Sequence, residues 1–192
     1  MSKSFYGIGY NSRRKHESCT NGKNTKVYQT WCDMMKRSYC KIYQDKYPTY
    51  VGCEVSDEWH DFQDFADWFE QKPYNDCGYH LDKDVLMNNN KMYSPDTCCF
   101  IPHELNLLIL NRLPSKSGLP QGVSFHKRDL KFTSRLRVNG KLNHMGYFNC
   151  PNEAHQVYKT AKERHIKNEA LKWANRIEWS VFVALMNWTL DG

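Results

Sequence analysis

The spacing of apolar residues changes at a segment rich in Pro, Ser and Gly that covers residues 114–121. Before this segment the longer apolar patterns recur every three or four positions, as in helices. Directly after it apolar residues recur at alternate positions, as in strands. The two periods in separate stretches predict an α+β protein with two modules. We expect a first module at residues 25–113, a linker at 114–121 and a second module at 122–168.

The two ends of the chain fall outside these modules. Residues 1–24 are polar and basic and predict an arm or flexible lead-in. Residues 169–192 combine helical spacing with apolar bulk, so they predict a helical segment that packs on one of the modules.

The charge balance is mildly basic. The chain has 27 Lys and Arg against 21 Asp and Glu, a net charge of +6, which favours a polyanionic partner without establishing one. No stretch approaches the roughly 20 apolar residues needed to span a bilayer, and the N-terminus lacks the apolar core of a signal peptide. We therefore expect a cytoplasmic chain without a membrane partner, and no protein partner can be inferred.

The eight cysteines predict buried free thiols. Without a signal peptide, a reducing compartment is expected and a disulfide framework is not. Four of them lie around one candidate site: Cys53, Cys77, Cys98 and Cys99. No C-x2-C pair occurs in the chain, and two adjacent cysteines are poor ligands for one tetrahedral ion, so zinc is disfavoured.

Two helices and a strand are expected at the start of the first module. Apolar residues at helical spacing predict a helix over residues 25–43, and a strand is expected within 49–59. Asp57 is the expected cap of the next helix. This helix has an apolar stripe that suits a core better than base stacking, formed by Trp59, Phe62, Phe65, Ala66 and Phe69.

Residues 79–98 read as a strand, an Asn-rich loop, a second short strand and a turn, and a helix is expected at 102–113. Asp82 lies near the end of the first strand. His80 and Asp84 share its strand face, since side chains two positions apart project to the same side. The three residues predict either a metal cluster or an ordinary solvated strand edge.

Three strands followed by a long helix are expected in the second module. Asn139–Gly140 marks a hairpin. A three-residue loop with Gly140 in a bulge is preferred, because it pairs Val138 with Leu142 and Phe132 with Phe148 and so separates the two faces. The opposite face then has no acidic residue and predicts contact with the major groove of double-stranded DNA. Its members are Lys131, Thr133, Arg135, Arg137, Asn143 and Tyr147.

Residues 122–163 resemble the APETALA2-type DNA-binding domain of plant ethylene-response factors. The shared features are the opening Gly-Val, the position of Phe132, "NGK", "GYF" and the following "EA…Y..A" helix. The resemblance implies that the exposed sheet face contacts bases. His144 and Met145 stand where the family has a Trp, so the target sequence does not carry over.

Residues 31–106 resemble a divergent branch of phage-type HNH homing endonucleases. The motifs are Trp31, Met34, Arg37 and Tyr39, then "SDEW", "HLDKD" and "YSPDTC" in this order. The resemblance implies an HNH-like ββα-metal region that uses Mg²⁺ or Mn²⁺. Asp82 matches the metal-binding Asp, Asn106 is the candidate second ligand, and Thr97 takes the place of the middle Asn.

Lys83 occupies the position of the family's catalytic histidine. A lysine with a pKa near 10.4 is a poor base at neutral pH. It can instead stabilise developing negative charge, or act as a base if burial lowers its pKa. His80 is an alternative base, and His103 is a weaker one.

Together the two resemblances imply a phage-type homing endonuclease in an infected bacterial cell that nicks or cuts DNA at specific sites. The alternative, supported by the changes at Lys83 and Thr97, is a DNA-binding protein without cleavage activity that acts as a regulator or anti-host factor.

Overall fold

The computed structural model of the protein describes residues 4–75, 77–110 and 118–190. It consists of helices and small sheets, so the predicted α+β class is confirmed. The chain forms two compact units. The first comprises Met1–His103 and Arg176–Val181, and the second Glu104–Asn175 and Phe182–Gly192. The division therefore falls after His103, earlier than the expected linker, of which residues 114–117 lie outside the described residues.

The described part of the first unit contains short strands and three α-helices before the division. In chain order they are β1 (Cys19–Thr20), β2 (Lys23–Asn24), α1 (Lys26–Tyr39), α2 (Lys41–Lys46), β3 (Glu54–Val55), α3 (Phe62–Gln71), β4 (His80–Asp82), β5 (Met92–Tyr93) and β6 (Cys99–Ile101). Helix α4 (His103–Ile109) follows β6 and crosses into the second unit.

An aromatic core holds the first unit together. The residues of the predicted apolar stripe are buried as expected, but Trp59 lies in the 3-10 turn Asp57–Trp59 before α3 and not on the helix itself. Trp31 of α1 packs against them. The Trp31 indole also donates a hydrogen bond to the Trp59 carbonyl at 2.8 Å, which satisfies its polar group inside the core. Gly9 lies against this core, because a Cβ there would be 2.8 Å from the Trp31 ring.

Two expectations for the region before α3 are wrong. The predicted helix over 25–43 breaks at Cys40, whose ψ of 104° is extended. Ile42, one of the apolar residues at helical spacing in this range, is 83% exposed. The strand expected within 49–59 is reduced to β3, and Val51 is exposed. Periodicity alone does not register such breaks, because alternating and helical spacing overlap in short runs.

The expected helix cap and the expected arm also differ from the structure. Asp61, and not Asp57, caps α3 by accepting the Gln63 N–H. The segment before β1 is not a free lead-in, because the backbone N–H groups of Lys15 and His16 donate to the Gln63 side chain at 2.8 and 2.7 Å. A buried polar side chain thus ties the N-terminal segment to α3.

Strand β4 pairs with β6 and not with the second strand expected from the sequence. The antiparallel register joins His80 to Ile101 and Asp82 to Cys99. Strand β5 pairs in parallel with β3. The order β4, loop, β6 and α4 is therefore strand, strand, helix, with β5 lying in the connecting loop.

The second unit contains a three-stranded antiparallel sheet and a long helix. The strands are β7 (Val123–His126), β8 (Lys131–Val138) and β9 (Lys141–Phe148), in the order β7-β8-β9. Helix α5 (Pro151–Trp173) follows and runs past the expected boundary at residue 168. Helix α6 (Trp179–Met186) confirms the predicted helical C-terminal segment and crosses the division between the units.

The hairpin between β8 and β9 has a different register from the expected one. Asn139 and Gly140 both have positive φ, 49° and 77°, so the loop has two residues and Val138 pairs with Lys141. Phe132 nevertheless pairs with Phe148 as predicted. The extra residue is in β9: Thr133 pairs with Tyr147 and Arg135 with His144, so Met145 and Gly146 together face Ser134.

Helix α5 packs on one face of this sheet. Tyr158 of α5 and Leu136 of β8 are buried together with Leu190. Gly122, just before β7, has a φ of +79°, and a Cβ there would be 2.1 Å from the Tyr158 ring. The close approach of α5 to the start of the sheet therefore requires glycine.

The part of the chain that the structure describes contains no helix with both the length and the apolar character needed to cross a membrane.

Replacing Gly122 with Ala should destabilise the second unit. The new methyl group combines an unfavourable positive φ, costing about 1–2 kcal/mol, with overpacking against Tyr158, costing about 1–3 kcal/mol more. Gly140→Ala is the matched control, since its φ of +77° is similar but nothing lies within 4 Å of the added Cβ. Urea unfolding of both variants measures the difference. Equal losses would contradict the packing of Tyr158 against Gly122.

Candidate functional site

The face of the β7-β8-β9 sheet opposite to α5 carries the cations predicted to contact DNA. Alternation along β8 places Lys131, Arg135 and Arg137 on the side opposite to buried Leu136. All three cations are exposed. The Arg135 guanidinium donates to the Ser124 hydroxyl, and Arg137 Nη1 donates to the Gly140 carbonyl at 2.7 Å. Neutral acceptors thus orient both arginines without neutralising their charge.

Two of the six residues predicted for this face are placed differently. Asn143 pairs with Leu136 and so lies on the α5 side, because the two-residue turn shifts the register by one position. Thr133 is on the expected side but is only 2% exposed, and its hydroxyl lies 2.9 Å from that of Ser124. It supports Arg135 through Ser124 and is not part of the surface.

The corrected register adds two residues to this face that sequence reasoning missed. His144 pairs with Arg135, and Leu142 pairs with Arg137. The His144 ring lies 4.6 Å from the ring of Tyr147, which stays on the predicted face. The sequence signal for these residues is Asn139–Gly140, because this dipeptide prefers a two-residue hairpin turn, which places them on this face.

One carboxylate lies at the edge of the sheet. Asp129, in the turn between β7 and β8, is 3.0 Å from Arg128 Nε and 3.2 Å from His126 Nδ1. Its charge is thus directed to the turn and not to Arg135 or Arg137. We define the basic sheet face by its exposed cationic and polar members: Lys131, Arg135, Arg137, His144 and Tyr147.

The second candidate site surrounds the end of β4. Asp82 Oδ1 accepts the backbone N–H groups of Asp84 and Val85 at 2.8 and 2.9 Å, so the carboxylate closes the turn that follows the strand. Burial raises the pKa of this carboxyl above its ordinary value, although the two N–H groups oppose the shift.

Lys83 is enclosed by the loop that follows β4. Its side chain is 6% exposed, and its ammonium lies 2.6 Å from Asp84 Oδ1 and donates to the Asn90 carbonyl. The Asn90 side chain in turn donates to the Lys83 carbonyl and accepts from the Met92 N–H. The lysine therefore connects both ends of the Asn-rich loop.

Thr97 has a similar local role. Its hydroxyl donates to the Met92 carbonyl at 2.8 Å and accepts from the Ser94 N–H at 3.2 Å. These bonds close the turn between β5 and β6. The two replaced positions of the nuclease motif, Lys83 and Thr97, thus both stabilise the loop between the paired strands β4 and β6.

The histidines lie on the other side of β4 from Leu81. His80 shares the strand face of Asp82, and its ring is 4.8 Å from the ring of His103. Asn106 belongs to the second unit, and its Oδ1 is buried without a hydrogen-bond partner among the described residues.

Two of the carboxylates predicted to hold a divalent ion already have partners within the protein. Asp84 is occupied by the Lys83 ammonium, and Asp82 Oδ1 by two N–H groups. Within residues 4–75, 77–110 and 118–190, no group of three or more His, Cys, Asp or Glu side chains is arranged to hold a metal ion.

The cysteines agree with the expected free thiols. Cys53, Cys98 and Cys99 are buried and unpaired, and Cys77 is exposed. Burial raises the pKa of the Cys98 thiol to about 12.

Comparison with protein-family models, with curated proteins and with solved structures finds no match to this chain.

The buried charge of Asp82 predicts a pH-dependent effect of Asp82→Asn. The folded-state pKa of Asp82 is raised, so its carboxyl stabilises the folded protein fully only below the unfolded-state pKa of about 3.9. This contribution to stability is lost as the pH rises through the folded-state pKa. The amide keeps an oxygen acceptor for the two N–H groups but carries no charge. Asp82→Asn should therefore be more stable than wild type at pH 7, and this advantage should disappear at pH 3.

Urea unfolding at several pH values measures this difference. Asp82→Ala is the control, since it removes the acceptor together with the charge: it should be less stable than Asp82→Asn at every pH, by about 0.5–1.5 kcal/mol per lost hydrogen bond. An advantage of Asp82→Asn that does not change with pH would contradict the buried-charge explanation.

Proposed function

We propose that this chain binds double-stranded DNA, with the basic sheet face in the major groove. The observation that carries the proposal is the side-by-side display of Arg135 and Arg137 on a twisted sheet, without an opposing carboxylate. A narrow β-sheet fits the major groove, where a guanidinium can donate two hydrogen bonds to guanine O6 and N7.

The arginines are partly ordered before DNA binds. Ser124 holds Arg135, and the hairpin carbonyl of Gly140 holds Arg137. Each guanidinium has five N–H donors, so one internal hydrogen bond leaves donors for a base. Ordering a side chain in advance lowers the entropy cost of binding. Lys131, at the start of β8, suits a phosphate contact beside them.

Arg135→Ala and Arg137→Ala should each weaken binding to the preferred sequence by about 1–3 kcal/mol and relax the preference at one base pair. Lys131→Gln should weaken binding to all sequences alike and lower the salt slope by about one unit. Fluorescence anisotropy on a sequence selected from a random pool, over a salt series, measures both effects.

Arg164→Ala is the matched control for these variants. Arg164 is equally cationic and exposed, but it lies on α5, which covers the other face of the sheet. This variant should bind as wild type does. If Arg135→Ala and Arg137→Ala also keep wild-type affinity for every sequence, the sheet does not contact DNA.

A second candidate function is endonuclease activity near β4. The specific observation in its favour is that His80, on the strand face of Asp82, lies beside the His103 ring. These rings offer imidazole close to the position where Lys83 replaces the histidine of the nuclease motif. Imidazole titrates near neutral pH and is the usual general base. The strand, strand, helix order of β4, β6 and α4 also agrees with the nuclease resemblance.

Nicking of supercoiled plasmid tests this candidate. With Mg²⁺ or Mn²⁺ and without chelator, the wild type should convert plasmid to the open circle, whereas Asp82→Ala and His80→Ala should not. Both variants should keep wild-type DNA affinity by anisotropy. Lys83→Arg should retain the loop and part of the activity. If the wild type binds DNA but does not nick the plasmid, the endonuclease candidate is wrong and DNA binding is the remaining function.

A further inference from the structure

Two groups of cations in the first unit differ in their partners. Near the N-terminus they are paired with α3: Arg14 contacts Asp61 and Asp64, and Lys15 Nζ lies 3.1 Å from Asp67 and 3.3 Å from Glu70. These charges are neutralised within the unit. The segment that looks most basic in sequence therefore offers less positive charge to a partner than its composition suggests.

The second group lies along the C-terminal half of α1 and along α2. Three tyrosines form a row here: the Tyr43 ring is 4.7 Å from that of Tyr47 and 5.8 Å from that of Tyr50. Each ring has a cation over it: Lys36 over Tyr43 at 5.1 Å, Lys46 over Tyr47 at 5.4 Å and Arg37 over Tyr50 at 5.8 Å.

The lysines of this row have no acidic partner. Lys36 and Lys46 are exposed, and neither forms an ion pair with any residue that the structure describes. Asp45 is close in sequence, but it is two positions from both Tyr43 and Tyr47, so helical spacing turns it away from their side of α2. Lys91 extends the row by donating to the Thr49 carbonyl at 2.8 Å.

We propose that this tyrosine–lysine row is a second nucleic-acid contact, which binds the phosphate backbone through Lys36 and Lys46. The cations are spread over consecutive rings and do not converge on one point, so they match a line of phosphates better than a single small anion. Tyrosine hydroxyls are further donors to phosphate oxygens. The surface lies in the first unit and does not depend on the sheet.

The double variant Lys36→Gln/Lys46→Gln tests this contact in the full chain. Each lysine that neutralises a phosphate contributes about 0.9 to the slope of log affinity against log salt. Anisotropy with a DNA duplex should therefore show a slope lower by about 0.9 for each lysine, with equal loss for all sequences. Lys36→Arg/Lys46→Arg should keep the wild-type slope.

Lys15→Gln is the matched control, because it removes the same charge from the same unit at a lysine already paired with carboxylates. It should leave the salt slope unchanged. Thermal unfolding of each variant checks that the fold is retained. If the double glutamine variant unfolds, the single variant Lys46→Glu, which reverses the charge at one exposed lysine, takes its place.

The outcomes separate this inference from the proposed function. A wild-type slope for Lys36→Gln/Lys46→Gln, with losses for Arg135→Ala and Arg137→Ala, overturns the row and leaves the sheet. The reverse result supports the row and overturns the sheet. If polyglutamate binding falls with the double variant while DNA binding does not, the row binds an acidic protein, and the nucleic-acid assignment is wrong.

Discussion

One extra residue in β9 determines which side chains face outward on the basic sheet. Met145 and Gly146 together oppose Ser134, so the pairing of Phe132 with Phe148 coexists with a two-residue Asn139–Gly140 turn. Without the bulge, one of these two constraints would be lost, and every residue of β9 on one side of it would change faces. The bulge thus brings His144 beside Arg135 and Tyr147, and moves Asn143 to the α5 side.

Charge pairing selects the surfaces on which a net charge of +6 can act. Arg14 and Lys15 are held by the acidic face of α3, whereas the cations over the Tyr43 and Tyr47 rings are not paired with any carboxylate that the structure describes. An exposed ion pair contributes little to stability, but it removes both charges from long-range attraction of a polyanion. A count of basic residues along the sequence therefore overstates the positive charge that the N-terminal segment offers and misses the charge of the tyrosine–lysine row.

The loop after β4 shows why a motif position does not define a role. Lys83, Thr97 and Asp82 each satisfy backbone groups of the loop that joins β4 to β6. Buried N–H and C=O groups need partners, and a polar residue that provides one has a structural reason to be present. His80 is exposed and lies beside the His103 ring, and it is on these two histidines that the nuclease hypothesis now depends.

The sequence by itself determined the α+β class, the core face of α3, the three strands of the second unit and the outward direction of Arg135 and Arg137. These features follow from local periodicity, which depends on the neighbours along the chain. Only the tertiary structure decided that β4 pairs with β6, that Thr133 is buried, and that Lys15 is neutralised while Lys36 is not. These outcomes depend on contacts between residues far apart in sequence, which no local pattern specifies.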